Sequence, residues 1–188
     1  MNKSSIRNKT LANFGKGFLN KSLPSYLILF VNNICQLRCD MCFYWDSMQV
    51  KTTQLTLEEI EKLAKSLPNL LQLTLTGGEP SLRKDLPEIP KIFSTHSNLS
   101  KCTVVTNGML CERIRDQVYK FVTENPTVDF RMSISMDAID NLHDKIRGVK
   151  GSFKNAEKTL NLLFKIRGEV PNLWVDVNTT ISKYNCEE

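Results

Sequence analysis

The sequence lacks any apolar stretch long enough to cross a membrane; its longest, around Leu27 to Val31, falls far short of the eighteen or so residues that a span needs. It also lacks an apolar signal core at its amino terminus, Met-Asn-Lys-Ser-Ser-Ile-Arg-Asn-Lys-Thr, so the chain is expected in the reducing cytoplasm, where disulfides are rare. No internal repeat or low-complexity tract is present, and 188 residues of ordinary apolar and charged content suit one globular domain. Histidine is scarce: His96 and His143 both stand in polar surroundings and are expected at the surface. Residues 1–21 contain no acid but carry Lys3, Arg7, Lys9, Lys16 and Lys21, which account for the whole net charge of +5. Leu11, Phe14 and Phe18 share a helical face in that segment. Such a stripe can meet an anionic membrane or a nucleic acid, but it is narrow, and a short helix capping the bottom of the core is the better reading. Residues 1–24 are therefore read as a basic extension and residues 25–188 as the core, with no nucleic-acid partner expected.

The cysteines are more specific. Cys35, Cys39 and Cys42 form a C-x3-C-x2-C triplet directly after the apolar run Ser25-Tyr-Leu-Ile-Leu-Phe-Val-Asn32, which reads as a buried strand. Three thiolates so close together repel one another unless they share cationic charge, and soft sulfur donors favour iron–sulfur clusters, zinc or copper(I). A structural zinc site closes its tetrahedron with a fourth Cys or His, usually in a second paired knuckle, and no second knuckle exists here. Cys102, Cys111 and Cys186 are isolated and match no motif, so they are expected as small buried apolar residues. A cluster of four irons held by three cysteines keeps one iron for another ligand.

From residue 25 onward strand and helix patterns alternate. Leu70–Thr76 has period two, and Thr56-Leu-Glu-Glu59 before it is a capping box, with Leu55 and Ile60 as staple partners, opening a helix to about Leu67. Further strands are predicted near 101–106, 129–136 and 173–181, and helices near 85–95, 111–124 and 152–167, the last opened by Ser152 and closed by Gly168. This order predicts parallel strands joined by right-handed crossovers in a barrel-like α/β fold. Strand parity sets Leu71, Leu73 and Leu75 against Gln72, Thr74 and Thr76, and Phe130, Met132, Ile134 and Met136 against Arg131, Ser133, Ser135 and Asp137. Leu173, Val175, Val177 and Ile181 likewise oppose Trp174, Asp176, Asn178 and Thr180. The apolar set must meet the helices. The polar set then lines a lumen which, unlike an ordinary barrel filled with aliphatics, reads as a ligand cavity.

With these residues in place, the sequence resembles the radical S-adenosylmethionine (SAM) superfamily. The resemblance rests on the cysteine loop after the first strand, Thr76-Gly-Gly-Glu-Pro80 after the second, Thr106-Asn-Gly108 after the third and Ser135-Met-Asp137 at the end of the fourth. It extends to Ile146-Arg-Gly148 and looks closest to the branch containing peptide-modifying maturases and the first enzyme of molybdenum-cofactor synthesis. Gln36 stands where Asn commonly follows the first cysteine, and Met41 where an aromatic often precedes the third; neither change removes a ligand. The resemblance implies a four-iron four-sulfur cluster on Cys35, Cys39 and Cys42, with SAM on the remaining iron, and an external electron donor. It implies that Gly77 and Gly78 allow close approach of the SAM methionyl group, with Pro80 stiffening the turn and Glu79 fixing it. Ser135 and Asp137 would bond the ribose, Arg147 would pair with the methionyl carboxylate, and Thr106, Asn107 and Asn178 would touch cofactor or substrate.

The expected architecture is thus a partial barrel of about five parallel strands, ending near Glu188 where a fifth helix should begin and before a sixth strand. The chain reads as either a fragment of a longer product or a minimal relative. The leading function is reductive SAM cleavage for hydrogen abstraction from an unidentified substrate, with a peptide as one candidate. The alternatives are a non-catalytic iron–sulfur electron carrier or redox sensor, and an inactive fragment of a longer enzyme.

Overall fold

In a computed structural model of the chain, residues 23–48 and 54–187 are described. The basic segment 1–21, with its expected capping helix, lies outside the described residues. Five strands form one all-parallel sheet in the order β1-β2-β3-β4-β5: Tyr26–Phe30, Gln72–Thr76, Lys101–Thr106, Asp129–Ser135 and Leu173–Asn178. Between them run α1 (Leu57–Ser66), α2 (Glu88–His96), α3 (Cys111–Glu124), α4 (Asp140–Arg147) and α5 (Ser152–Glu169). The capping box of α1 forms as its spacing predicts: Glu59 N–H donates to the Thr56 hydroxyl at 3.2 Å and Thr56 N–H donates to the Glu59 carboxylate at 2.8 Å. Among the described residues no helix is long and apolar enough to cross a membrane.

The helices cover the sheet face that carries Leu29, Leu73, Leu75, Cys102, Val104, Phe130, Met132 and Ile134. They meet it with Ile60, Ile89, Phe93, Ile114, Val118, Phe121, Ala156 and Leu163, all buried, and Phe121 stacks on Phe130 with ring centroids 5.4 Å apart. The opposite face is less uniformly polar than the parity of β2, β4 and β5 suggests. There β1 contributes Tyr26, Ile28 and Phe30, which are 48%, 52% and 43% exposed, in register with Gln72, Thr74 and Thr76. A cavity of about 520 Å³ lies on this face at the starts of the strands, among Gln72, Lys101, Thr103, Asp129, Arg131 and Trp174. Phe30 pairs with Thr76, Thr106 with Ile134, and Ser135 with Asn178, so the loops that follow the strands emerge at one level.

Helix α4 has no counterpart among the elements predicted from sequence; it is short and mostly polar, and is capped by Gly148, which takes the left-handed conformation (φ +72°). Two local expectations differ from the structure. Ser152 is not the cap of α5 but its first residue, the cap being Gly151, also left-handed. Nor does Gly168 close α5, because the helix runs through it to Glu169. A Cβ at Gly168 would meet nothing within 4 Å. Gly168→Ala is therefore expected to raise stability by about 0.5–1 kcal/mol, the usual gain for removing glycine freedom in a helix. Urea unfolding measures this, and a loss of stability would show that the helix ends earlier.

Candidate cofactor site at the carboxyl ends of the strands

Beyond β1 the backbone keeps pairing with the segment after β2. Val31 N–H donates to Thr76 O at 2.9 Å, Gly78 N–H to Asn32 O at 3.0 Å and Glu79 N–H to Ile34 O at 2.8 Å, while the Asn32 side chain donates to Glu79 O at 2.8 Å. This contact explains the glycine pair. A Cβ on Gly77 would sit 2.3 Å from Asn32 O, and one on Gly78 2.1 Å from Ile34 O. Gly77 also adopts φ +134°, open only to glycine. What presses on both glycines is thus the chain's own approach to the cysteines, in addition to any approach by a ligand.

Glu79 is 1% exposed and acts as a hub. One carboxylate oxygen accepts from Ser81 N–H at 3.0 Å, from the Ser81 hydroxyl at 2.6 Å and from the Thr106 hydroxyl at 2.6 Å; the other accepts from Asn107 N–H at 2.8 Å. Burial pushes its pKa up while these donors pull the other way. Pro80 opens the 3-10 turn Pro80–Leu82 and is buried. Just beyond, Arg83 donates to Val31 O at 3.1 Å and to Leu55 O at 2.8 Å and grips Asp85 with two bonds, while Gln117 donates to Arg83 O at 2.9 Å. Sequence reasoning missed Ser81, Arg83 and Gln117; the Arg83-x-Asp85 spacing was the one signal for them.

The cysteine loop is also clamped from the far side. Arg38 N–H donates to Arg147 O at 3.2 Å and Asp40 N–H to Ile146 O at 2.9 Å, and a Cβ on Gly148 would lie 2.5 Å from Arg38 O. Asp137 holds the other end of this clamp. Its two carboxylate oxygens accept from Arg147 Nε at 2.7 Å and from Thr180 N–H at 2.9 Å, and its carbonyl accepts from Asn185 at 2.6 Å. Its N–H donates to His143 Nδ1 at 3.2 Å. With its carboxylate wholly buried and both oxygens engaged, Asp137 sits behind the pocket wall, not on it as the ribose role requires. His143, expected at the surface, is fully buried beside Phe153, because α4 turns it inward beneath Asp137. Burial and the nearby Arg147 charge lower its pKa. Thr180 and Asn185 had no motif to mark them.

Cys35, Cys39 and Cys42 are half-buried thiols that open onto one pocket of about 350 Å³. Its walls include Gly77, Gly78, Glu79, Thr106, Asn107, Ser135 and Arg147, so seven of the ten predicted cofactor residues converge there; Pro80, Asp137 and Asn178 do not line it. Burial pushes the Cys39 thiol up to about 11, with the Arg147 charge opposing, and burial raises Cys35 as well. Among the described residues no three His, Cys, Asp or Glu side chains converge as a single ion requires, with donors about 2.3 Å from it. Three thiols spread around a pocket fit a cluster, whose ligands sit on separate irons. Cys102 and Cys111 are buried as expected; Cys186, expected buried, is exposed in the turn after β5. His96 is half-buried, with Nε2 3.1 Å from Glu61.

A family profile described as the Radical SAM superfamily matches residues 29–182. The sporulation killing factor maturation protein SkfB of Bacillus subtilis is 32% identical over 176 residues, covering 92% of this chain and 39% of that protein. A GTP 3',8-cyclase of Vibrio atlanticus is 29% identical over 164 residues, covering 84% and 46% respectively. The chain therefore spans less than half the length of these relatives. Among solved structures, native anSMEcpe with bound AdoMet and Cp18Cys peptide superposes with a TM-score of 0.62 at 22% identity, covering 81% of this chain and 41% of that one. Streptococcus suis SuiB bound to its precursor peptide SuiA gives 0.61 at 19%, covering 96% and 39%. These show the fold, a partial β/α barrel.

Gly78→Ala is expected to force the two loops apart, costing about 2–3 kcal/mol because its neighbour is backbone and cannot rotate away. Glu79→Gln should cost about 1–3 kcal/mol, since its amide turns a donor toward another donor. Chemical denaturation reads both, and wild-type stability in either variant would remove the loop contact from its central place.

Proposed function

The chain belongs to the radical SAM superfamily, and on that premise we propose that Cys35, Cys39 and Cys42 hold a four-iron four-sulfur cluster whose fourth iron takes SAM, so that SAM is cleaved reductively for hydrogen abstraction from a substrate. The cluster, when bound, supplies the electron that breaks a carbon–sulfur bond of SAM and so makes a carbon radical. The chain's own residues bind, orient and shield. Gly77 and Gly78 present backbone beside the cysteines, where a side chain would obstruct both loop and ligand. Ser135, 8% exposed on the pocket wall, offers a hydroxyl to the ribose. Arg147 supplies positive charge to the thiolates and to the methionyl carboxylate, with Nε tied to Asp137 so that the guanidinium is oriented. Thr106 and Asn107 back the pocket through Glu79. Asp137 acts by positioning and not by contact.

The single observation that carries this reading is the shared pocket: an electron carrier needs a cluster, but no cavity of about 350 Å³ lined by glycines, hydroxyls and an arginine beside it. A peptide is the proposed substrate class. It is supported by the relative named as a maturation protein and by the peptide-bound fold neighbours. An external reductant is required.

Anaerobic reconstitution should give about four irons per chain. Single changes to Ala at Cys35, Cys39 or Cys42 should abolish iron uptake, whereas changes at Cys102, Cys111 and Cys186 should leave it near normal. SAM added to the reduced cluster should alter its electron paramagnetic resonance spectrum, and Ser135→Ala should weaken that response by roughly fivefold, the equivalent of one hydrogen bond of about 1 kcal/mol. A spectrum indifferent to saturating SAM would favour the electron-carrier reading.

A further inference from the structure

We propose that Asn107 donates a hydrogen bond to the sulfur of Cys35 that makes the cluster easier to reduce, and that Gln36 is a positioning residue that holds Asn107 in the orientation this needs. The proposal rests on the reading above that Cys35 is a cluster ligand. Asn107 Nδ2 lies 3.7 Å from Cys35 Sγ, in the range for a donor to sulfur. Which end of the amide faces the sulfur is settled by its other partners. Met109 N–H, which can only donate, lies 3.0 Å from Asn107 Oδ1, so the oxygen must point to Met109 and the NH2 group to Cys35. Gln36 Nε2 donates to the same oxygen at 3.3 Å, reinforcing that choice.

The arrangement is costly to keep, which argues that it is selected for something. Gln36 Oε1 is buried with no hydrogen-bond partner among the described residues, the consequence of turning the Gln36 amide toward Asn107. Asn107 is 5% exposed and its backbone N–H is tied to Glu79, so its backbone is fixed and the side-chain torsion is set by Met109 N–H and Gln36. A buried N–H at a ligand sulfur stabilises the extra electron density of the reduced cluster more than it stabilises the oxidised one, and so raises the reduction potential. The same bond links the segment directly after β3 to the first ligand of the cysteine loop.

The test uses the full chain, reconstituted anaerobically, with the midpoint potential read by electron paramagnetic resonance at controlled potentials and iron content measured alongside. Asn107→Leu removes the donor without adding a charge. Gln36→Met adds no charge and leaves Asn107 in place. Asn107→Leu should make reduction about tenfold less favourable, equivalent to about 59 mV for one electron. Gln36→Met should shift the potential the same way by a smaller amount, both at near-normal iron content. If Asn107→Leu takes up no iron, Gln36→Met decides alone. An unchanged potential in the iron-loaded variants overturns the proposal. Failure of the unaltered chain to take up iron is a different result, which brings down the cluster assignment and this proposal with it.

Discussion

Everything at the strand ends depends on one close approach: the backbone after β1 lies against the Gly77–Glu79 turn, and the buried Glu79 carboxylate ties that turn to the end of β3. Neither half suffices alone. The Gly78 and Glu79 amides fix where the cysteine loop departs. Glu79, by gathering donors from Ser81, Thr106 and Asn107, makes the second and third strand ends one unit. A buried carboxylate is expensive unless its oxygens are filled, and here four donors fill them. That cost explains why two hydroxyls and two backbone N–H groups crowd a single side chain.

Charge at the site is arranged in layers. Three half-buried thiols face the pocket, and burial holds Cys35 and Cys39 in their protonated forms, Cys39 up to about 11. Ligation must therefore release protons into surroundings that favour thiolate only once a cation arrives. Arg147 supplies part of that field from the pocket wall, and the buried Asp137 behind it keeps the guanidinium in place. Asp137 is itself braced by Thr180 and Asn185 from beyond β5, so the fifth strand reaches the cluster loop through two steps of hydrogen bonding. The Arg38 and Asp40 amides complete the clamp on α4.

The parts of this design that announce themselves in sequence are periodic or clustered. Alternating Leu73 and Leu75, the capping box at Thr56 and the cysteine triplet each carry a local signal, and the parallel order follows from their alternation. The roles of Asp137 and His143 were not legible, because both depend on α4, a short and mostly polar helix of eight residues that turns His143 inward and brings Arg147 onto Asp137. Cys186 fails for a similar reason, since an isolated cysteine says nothing about which side of a turn it faces. The glycines were legible as needing close approach, but not what approaches them. That partner, Asn32 to Ile34, lies more than forty residues away in the chain, and only the register of β1 on β2 brings it there.

Amide hydrogen exchange in the chain without iron tests the central claim most directly, because the claim is that the loops are joined before any cofactor arrives. The amides of Gly78, Glu79 and Asn107 should exchange slowly, within roughly tenfold of the Leu75 amide in the middle of β2, as members of one cooperative unit do. Exchange at the rate of an exposed loop, while Leu75 stays protected, would contradict it and would mean that the cofactor, and not Glu79, assembles the site.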